Sequence, residues 1–259
     1  MKYEPVKDNI FSLIRLFPTL RRIFYFCLDF ILLRQRYVKR EIKKYFKDGD
    51  RFYDAGAGFC QYSDYVLRRY PRAQVFATDL KTDYLQSYAS YVGQRFSYQT
   101  ADLVSFCPKI SYNMAIAIDI LEHIEDDRAV LRNLHNALKE GGYLIISTPS
   151  NLDKAARYAE EHVRPGYNKA DLEKKLRDLG FKIVSSKYSY GPFGALAWKL
   201  QMKFPLAMLR ATKYGAIFLP FWYLILSPLM ELLMRLDILV DNKQGNGIII
   251  VANKLPDRL

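Results

Sequence analysis

Asp54 ends a short apolar strand, Arg51-Phe52-Tyr53-Asp54, and leads at once into Ala55-Gly56-Ala57-Gly58, after which Tyr62 to Tyr70 has helical spacing. A strand, a glycine turn and a helix in immediate succession let backbone approach a ligand closely, with helix N–H groups pointing outward. A nucleotide-like ligand is expected there. The dinucleotide fingerprint needs a glycine at position 61, where this chain has Gln61, so room for a pyrophosphate is not indicated.

The turn opens a regular alternation. A second strand, Ala73 to Thr78, ends on Asp79; a helix around Thr82 to Tyr91 leads to a third strand near Phe96 to Gln99. Tyr112 to Ile118 is nearly all apolar, as in a strand buried on both faces of a parallel sheet, and Asp119 closes it. Asp127 to Lys139 reads as a helix ending at Gly141-Gly142, before the strand Tyr143 to Ser147. Asn168-Lys169-Ala170-Asp171 starts a further helix in the manner of a capping box, and Gly180 ends it before the strand Phe181 to Tyr188; the last strand is Gly247 to Asn253. The alternation predicts an α/β doubly wound sheet.

Three more strand ends carry candidate ligands. Asp79 is placed for its carboxylate to accept from both ribose hydroxyls of an adenosine. Ala101-Asp102-Leu103 follows the third strand, where a carboxylate can accept from an adenine amino group, and Asp119-Ile120-Leu121-Glu122-His123-Ile124 follows the fourth. A glycine turn or a strand-end aspartate alone is common in α/β proteins; four in this order are specific.

With these residues in place, the sequence resembles the class I S-adenosylmethionine-dependent methyltransferases, nearest the branch that includes quinone-biosynthesis enzymes. The likeness covers Val38 to Tyr190, and Gly247 to Asn253 resembles that family's final antiparallel strand. It implies a Rossmann-like seven-stranded sheet, S-adenosylmethionine as cofactor with S-adenosylhomocysteine as product, and no metal. Asp54, Gly56 and Gly58 match the motif around the methionine end, Asp79 with Leu80 the ribose site, and Asp102 with Leu103 the adenine contact. Ile118 and Asp119 match the wall beneath the sulfonium. The family's third motif glycine is Cys60 here.

A sulfonium makes its methyl group electrophilic, so such a protein mainly aligns a nucleophile and excludes water. A phenolic acceptor would gain from a general base. His123 and His162 are the candidates, since imidazole titrates near neutral pH; the competing expectation is that His123 packs at a helix start and His162 orders His162-Val163-Arg164-Pro165-Gly166-Tyr167. Tyr167 either orients substrate or packs.

The formal net charge of +12 raises nucleic acid, anionic lipid and acidic substrates as partners. Residues 1–51 hold thirteen Lys or Arg against six Asp or Glu, interleaved with Phe, Leu and Ile, which favours a membrane surface over nucleic acid. No Asn-Pro-Pro-Tyr-type tetrad for a flipped base follows the fourth strand. Cys27, Cys60 and Cys107 lack any paired spacing, so neither disulfides nor a zinc site are expected, and a cytoplasmic setting without a signal peptide fits.

Pro18 to Phe46 has the spacing of an amphipathic helix or helix pair. Gly215 to Met230 is an uncharged sixteen-residue run containing Pro220 and Pro228, shorter than the roughly 20 residues a spanning helix needs. Flanked by Lys213 and Arg235 and holding Trp222 and Tyr223, it suits the headgroup region; otherwise it serves as a lid or a dimer contact. The chain thus divides into basic amphipathic helices (1–47), the cofactor-binding core (48–190), an apolar helical insertion (191–245) and the final strand with the C-terminus (246–259). The expected activity is methyl transfer to an apolar, lipid-like or phenolic acceptor at the inner face of a membrane. The rivals are a methyltransferase of a soluble small molecule and a non-catalytic scaffold of the same fold.

Overall fold

The computed structural model describes residues 18–81, 83–153, 162–211 and 214–256. Lys213, Thr82 and the stretch before Pro18, all used in the sequence reading, lie outside the described residues.

Seven strands form one sheet: β1 (Arg51–Ala55), β2 (Gln74–Asp79), β3 (Phe96–Thr100), β4 (Tyr112–Ile118), β5 (Leu138–Pro149), β6 (Phe181–Ser189) and β7 (Gly247–Lys254). Their order is β3-β2-β1-β4-β5-β7-β6, with β1 to β5 parallel and β7 antiparallel to both of its neighbours. This is the doubly wound Rossmann-like sheet with the antiparallel last strand. β4 lies at its centre, with Met114 to Ala117 all buried, which explains the apolar run.

Each face of the sheet has its own core. On one, Val38 and Ile42 from the N-terminal segment pack with Val66 and Leu85 from the helices α3 (Gln61–Arg69) and α4 (Asp83–Val92). On the other, Leu131 and Leu134 of α5 (Asp127–Ala137) pack with Leu172 and Leu176 of α6 (Lys169–Asp178). α5 ends two residues before the predicted Lys139, because Leu138 already pairs with Tyr112 in the sheet. The cap predicted for α6 is formed: the Asn168 side chain accepts from the Ala170 and Asp171 N–H groups.

The N-terminal segment is a helix pair, α1 (Pro18–Ile31) and α2 (Leu33–Tyr45), separated by the extended residue Leu32. Between β6 and β7 the chain forms α7 (Pro192–Trp198), a π-helical turn over Lys199–Lys203, α8 (Phe204–Ala211) and α9 (Gly215–Leu239). α9 is longer than the uncharged run suggested. Its 25 residues continue through both prolines and past Met230 into Glu231, Arg235 and Asp237, so by length and composition it could cross a membrane. A missing N–H at Pro220 and Pro228 removes two helix bonds without ending the helix.

The two helical additions meet. Arg36 pairs with Glu231 at 2.7 Å, the Gln201 side chain donates to the Phe30 carbonyl at 2.8 Å, and the Tyr37 hydroxyl donates to the Asp237 carboxylate at 2.9 Å. Asp237 is fully buried and also accepts the N–H groups of Tyr190 and Gly194, tying the end of β6, the start of α7, α2 and α9 to one carboxylate.

Candidate active site

The order reverses between β1 and β4, so the glycine turn after β1 and the Asp119 loop after β4 flank the crevice where open α/β sheets bind ligands. Gly56 has φ of +74° and Gly58 of +50°, a region open to glycine and strained for other residues. A Cβ on Gly56 would collide with Ile120, whose Cγ1 would lie 2.6 Å away, so the turn is pressed against the β4 loop. A Cβ on Gly58 would meet nothing within 4 Å: its backbone borders open space.

Cys60 stands where the motif has its third glycine, and it adopts φ of +56° while fully buried at the start of α3. The bend is therefore kept without the glycine. This places a side chain in the left-handed region, at a cost of about 1–2 kcal/mol.

Asp54 is buried, accepts from the Ser63 hydroxyl at 2.7 Å, and has its carboxyl pushed up to about 7 by burial, a rise the Ser63 hydrogen bond opposes and the Asp79 charge reinforces. Asp79 accepts the Gly58 N–H at 2.9 Å and the Lys81 N–H at 3.1 Å. A carboxylate offers about four acceptor positions, so two remain for a diol. Leu80 beside it is 60% exposed, an uncovered apolar wall. Asp102 is exposed and its Oδ1 accepts the Val104 N–H at 2.9 Å, while Leu103 is buried. These groups fit an adenosine attached to an amino-acid chain: two carboxylates for a diol and an amine, an apolar wall, and a cradle that a Cβ would strain.

Ile118 is half-buried at the end of β4, and Asp119 has φ of +52° and forms an ion pair with Arg34 of α2. Asp119 and Arg34 line a cavity of about 370 Å³ at the ends of β4, β5 and β6. Ser147, Thr148, His162, Tyr190, Trp198 and Asn246 are among its other lining residues, giving it an aromatic side and a polar floor.

His123 and His162, far apart in sequence, lie ring to ring, edge to face at 4.7 Å between centroids. With Glu122 they bring side-chain donor and acceptor atoms within 4.8 Å of one another. Glu122 is buried, accepts from the Thr148 hydroxyl at 3.0 Å, and has its carboxyl raised by burial. His162 Nδ1 is buried with no hydrogen-bond partner among the described residues. Tyr167 lies elsewhere. Its hydroxyl donates to Asp127 Oδ2 at 2.7 Å and accepts from Arg164 at 2.6 Å, and its ring is not among those lining the cavity. Arg34, Thr148 and Trp198 were missed by the sequence reading, since they belong to no motif and reach the cavity only through tertiary packing.

A Rossmann-like sheet with an antiparallel last strand, a glycine turn preceded by a buried acid, and a carboxylate at the end of β2 with acceptor positions to spare make up the class I methyltransferase fold. A family model described as "Methyltransferase domain" matches residues 31–186, and the chain belongs to that family. Curated relatives include trans-aconitate 2-methyltransferases from Rhodopseudomonas palustris strain BisB18, 27% identical over 108 residues covering 41% of each chain, and from Pseudomonas aeruginosa, 27% identical over 101 residues covering 39% of this chain and 36% of the other. The match thus spans less than half the length of these relatives. Among solved structures, the [4+2]-cyclase SpnF has a TM-score of 0.60 at 17% identity, covering 85% of this chain and 80% of its own. Phosphoethanolamine N-methyltransferase 2 of Haemonchus contortus, solved with S-adenosyl-L-methionine, has a TM-score of 0.58 at 19% identity, covering 83% and 51%. The 1,6-didemethyltoxoflavin-N1-methyltransferase of Burkholderia thailandensis, solved with bound 1,6-didemethyltoxoflavin and S-adenosylhomocysteine, has a TM-score of 0.56 at 15% identity, covering 85% and 78%. At these identities the structures share the fold. One of them is a cyclase, so the fold alone does not specify the reaction.

Proposed function

We propose that the protein methylates an apolar acceptor, a prenylated phenol or another lipid-like molecule of the kind used in quinone biosynthesis, as a peripheral protein on the cytoplasmic face of a membrane. The observation that carries this reading is the position of Asp119, which belongs to the cofactor constellation and also lines the 370 Å³ cavity. Donor and acceptor would meet there.

In this reading Asp54, Gly56 and Gly58 hold the methionine end of S-adenosylmethionine, Asp79 and Leu80 the ribose, and Asp102 and Leu103 the adenine, with Ile118 and Asp119 below the reacting centre. Bound there, the cofactor supplies an electrophilic methyl group on a positively charged sulfur. The chain's own work is alignment and exclusion of water. Arg34, paired to Asp119, holds α2 over the crevice. His162, which lines the cavity, takes the proton from an acceptor hydroxyl, and His123 and the buried Glu122 lie beside its ring and balance the charge it gains. Tyr167 positions the Arg164 loop from behind. Trp198 and Leu32 give the cavity its apolar side.

A second reading has an observation of its own. The trans-aconitate methyltransferases act, by their names, on a small carboxylic acid, and the Arg34 guanidinium in the cavity would suit an anionic acceptor. Incubating the protein with methyl-labelled S-adenosylmethionine and either total lipid extract or water-soluble acids including trans-aconitate separates the two. Label in the organic phase supports the lipid-like acceptor; label only in the aqueous phase replaces it with the small acid. No label in either, with S-adenosylhomocysteine still bound and binding lost in Asp79→Ala, would instead leave a non-catalytic scaffold.

A further inference from the structure

We infer that the helical insertion is a wedge that enters one leaflet of an anionic bilayer without crossing it, and that its root sets the acceptor cavity at headgroup level. This rests on the membrane-surface reading above and names its partner and depth.

A surface helix of a water-soluble protein carries charge on its outer face. α9 does not. From Gly215 to Met230 it has no charged residue, and its outward side chains Ile217, Phe218, Phe221, Leu224, Ile225 and Leu229 are all exposed. Only one side of this half is engaged: Trp222 Nε1 donates to the Leu200 carbonyl at 2.9 Å and the Tyr223 hydroxyl to the Gln201 carbonyl at 2.7 Å. The remaining surface needs a cover.

The charge around it selects the cover. Between Gly191 and Met230 the chain holds Lys199, Lys203, Arg210 and Lys213 and not one Asp or Glu. Lys199, Lys203 and Arg210 are exposed. A basic rim around an apolar face complements anionic lipid, whereas pairing this face with a second copy would bring two sets of like charges together.

Length fixes the depth. The exposed apolar half, Ala216 to Leu229, is about 21 Å long at 1.5 Å per residue, short of the roughly 30 Å hydrocarbon core. The other half is not available for insertion. Glu231 pairs there with Arg36 and Arg235, and Met230, Leu233, Met234 and Asp237 are buried against the domain. Whole-helix length therefore overstates the reach of α9. At the root, Trp198 lines the acceptor cavity two residues before Leu200, whose carbonyl holds Trp222, so an acceptor lying in the leaflet reaches the cavity sideways.

The chain has two tryptophans, Trp198 and Trp222, and Trp198→Phe makes Trp222 a single depth reporter. The test is co-sedimentation with vesicles of 30% phosphatidylglycerol in phosphatidylcholine, followed by fluorescence quenching with lipids brominated at carbons 6,7 or 11,12. Expected are binding at least tenfold tighter than to pure phosphatidylcholine vesicles, stronger quenching from the 6,7 position, and at least tenfold weaker binding in Phe221→Glu/Ile225→Glu. That variant changes exposed residues, and circular dichroism and S-adenosylhomocysteine titration check that its domain is intact; Lys203→Glu/Arg210→Glu tests the basic rim separately. Strongest quenching from the 11,12 position would overturn the single-leaflet depth. No vesicle binding, or a dimer that Phe221→Glu/Ile225→Glu dissociates, would overturn the lipid partner. Loss of S-adenosylhomocysteine binding by the parent protein would instead strike the methyl-transfer reading and leave the wedge standing.

Discussion

The Tyr37 hydroxyl reaches the Asp237 carboxylate, 200 residues later in the chain, at 2.9 Å. Asp237 also takes the N–H groups of Tyr190 and Gly194, and its removal leaves these two donors unsatisfied, at about 1–3 kcal/mol each before relaxation, while the Tyr37 hydroxyl keeps the residue-237 carbonyl at 2.6 Å. Asp237→Ala is expected to lose about 3 kcal/mol or more in urea unfolding. Tyr37→Phe, which leaves both N–H bonds in place, is expected to lose about 1 kcal/mol.

Gly56→Ala puts a Cβ into Ile120 at a φ of +74°. Loss of S-adenosylhomocysteine binding by more than tenfold and about 1–3 kcal/mol of stability is the expected result. Adding Ile120→Ala relieves the collision but not the backbone strain. Calorimetric titration of the double variant should therefore show partial recovery; full recovery would mean that the backbone conformation contributes nothing.

Cys60 tests whether the turn needs a glycine or only its conformation. Since the left-handed backbone is already formed with a cysteine, Cys60→Gly should bind S-adenosylhomocysteine within about threefold of the parent; relief of about 1 kcal/mol of strain is offset by lost packing and greater chain entropy. Cys60→Val places a β-branched residue at the same φ and should be destabilised by about 2 kcal/mol or more, read as a lower thermal midpoint.

Asp54 makes the ligand-free protein pH-sensitive. Its folded pKa of about 7 exceeds the unfolded value of about 3.9, so the folded state holds the extra proton between these values. The stabilisation is complete below about pH 4 and is lost as pH rises through 7, with a slope of at most about 1.4 kcal/mol per pH unit. Denaturant titrations between pH 4.5 and 7.5 should show this decline, and Asp54→Asn should remove it. Equal slopes in the two proteins would show that Asp54 is not the group responsible.

The parallel half of the sheet was readable because β1, β2, β4 and β5 each carry a compact apolar run and each turn is marked by a glycine or a strand-end acid; the more polar β3 was placed by the alternation around it. Asp54, Asp79 and Asp102 fall beside the crevice for the same reason: their places are set by local strand-turn-helix geometry. Arg34 and Trp198 were not readable. They reach the cavity from α2 and α7, and where those helices lie depends on the Asp237 network and on packing across 200 residues, which no local pattern encodes. The extent of α9 was misjudged for a related reason: charged Glu231, Arg235 and Asp237 ended the apolar run, but each finds a partner that lets the helix continue. Tyr167 had the residue type of a substrate contact, and only the structure shows its hydroxyl already engaged with Asp127.

β7 lies between β5 and β6, yet it is made after both and after the entire wedge. During synthesis, β5 and β6 must wait with facing edges unpaired while residues 190–246 are added, roughly 3–11 s at about 5–20 residues per second. The most apolar stretch of the chain thus leaves the ribosome before the strand that completes the sheet. A nascent chain in this interval presents both an open sheet edge and an uncovered greasy helix, the two features that holding chaperones and nearby bilayers capture, so the order of manufacture itself favours early contact with one of them.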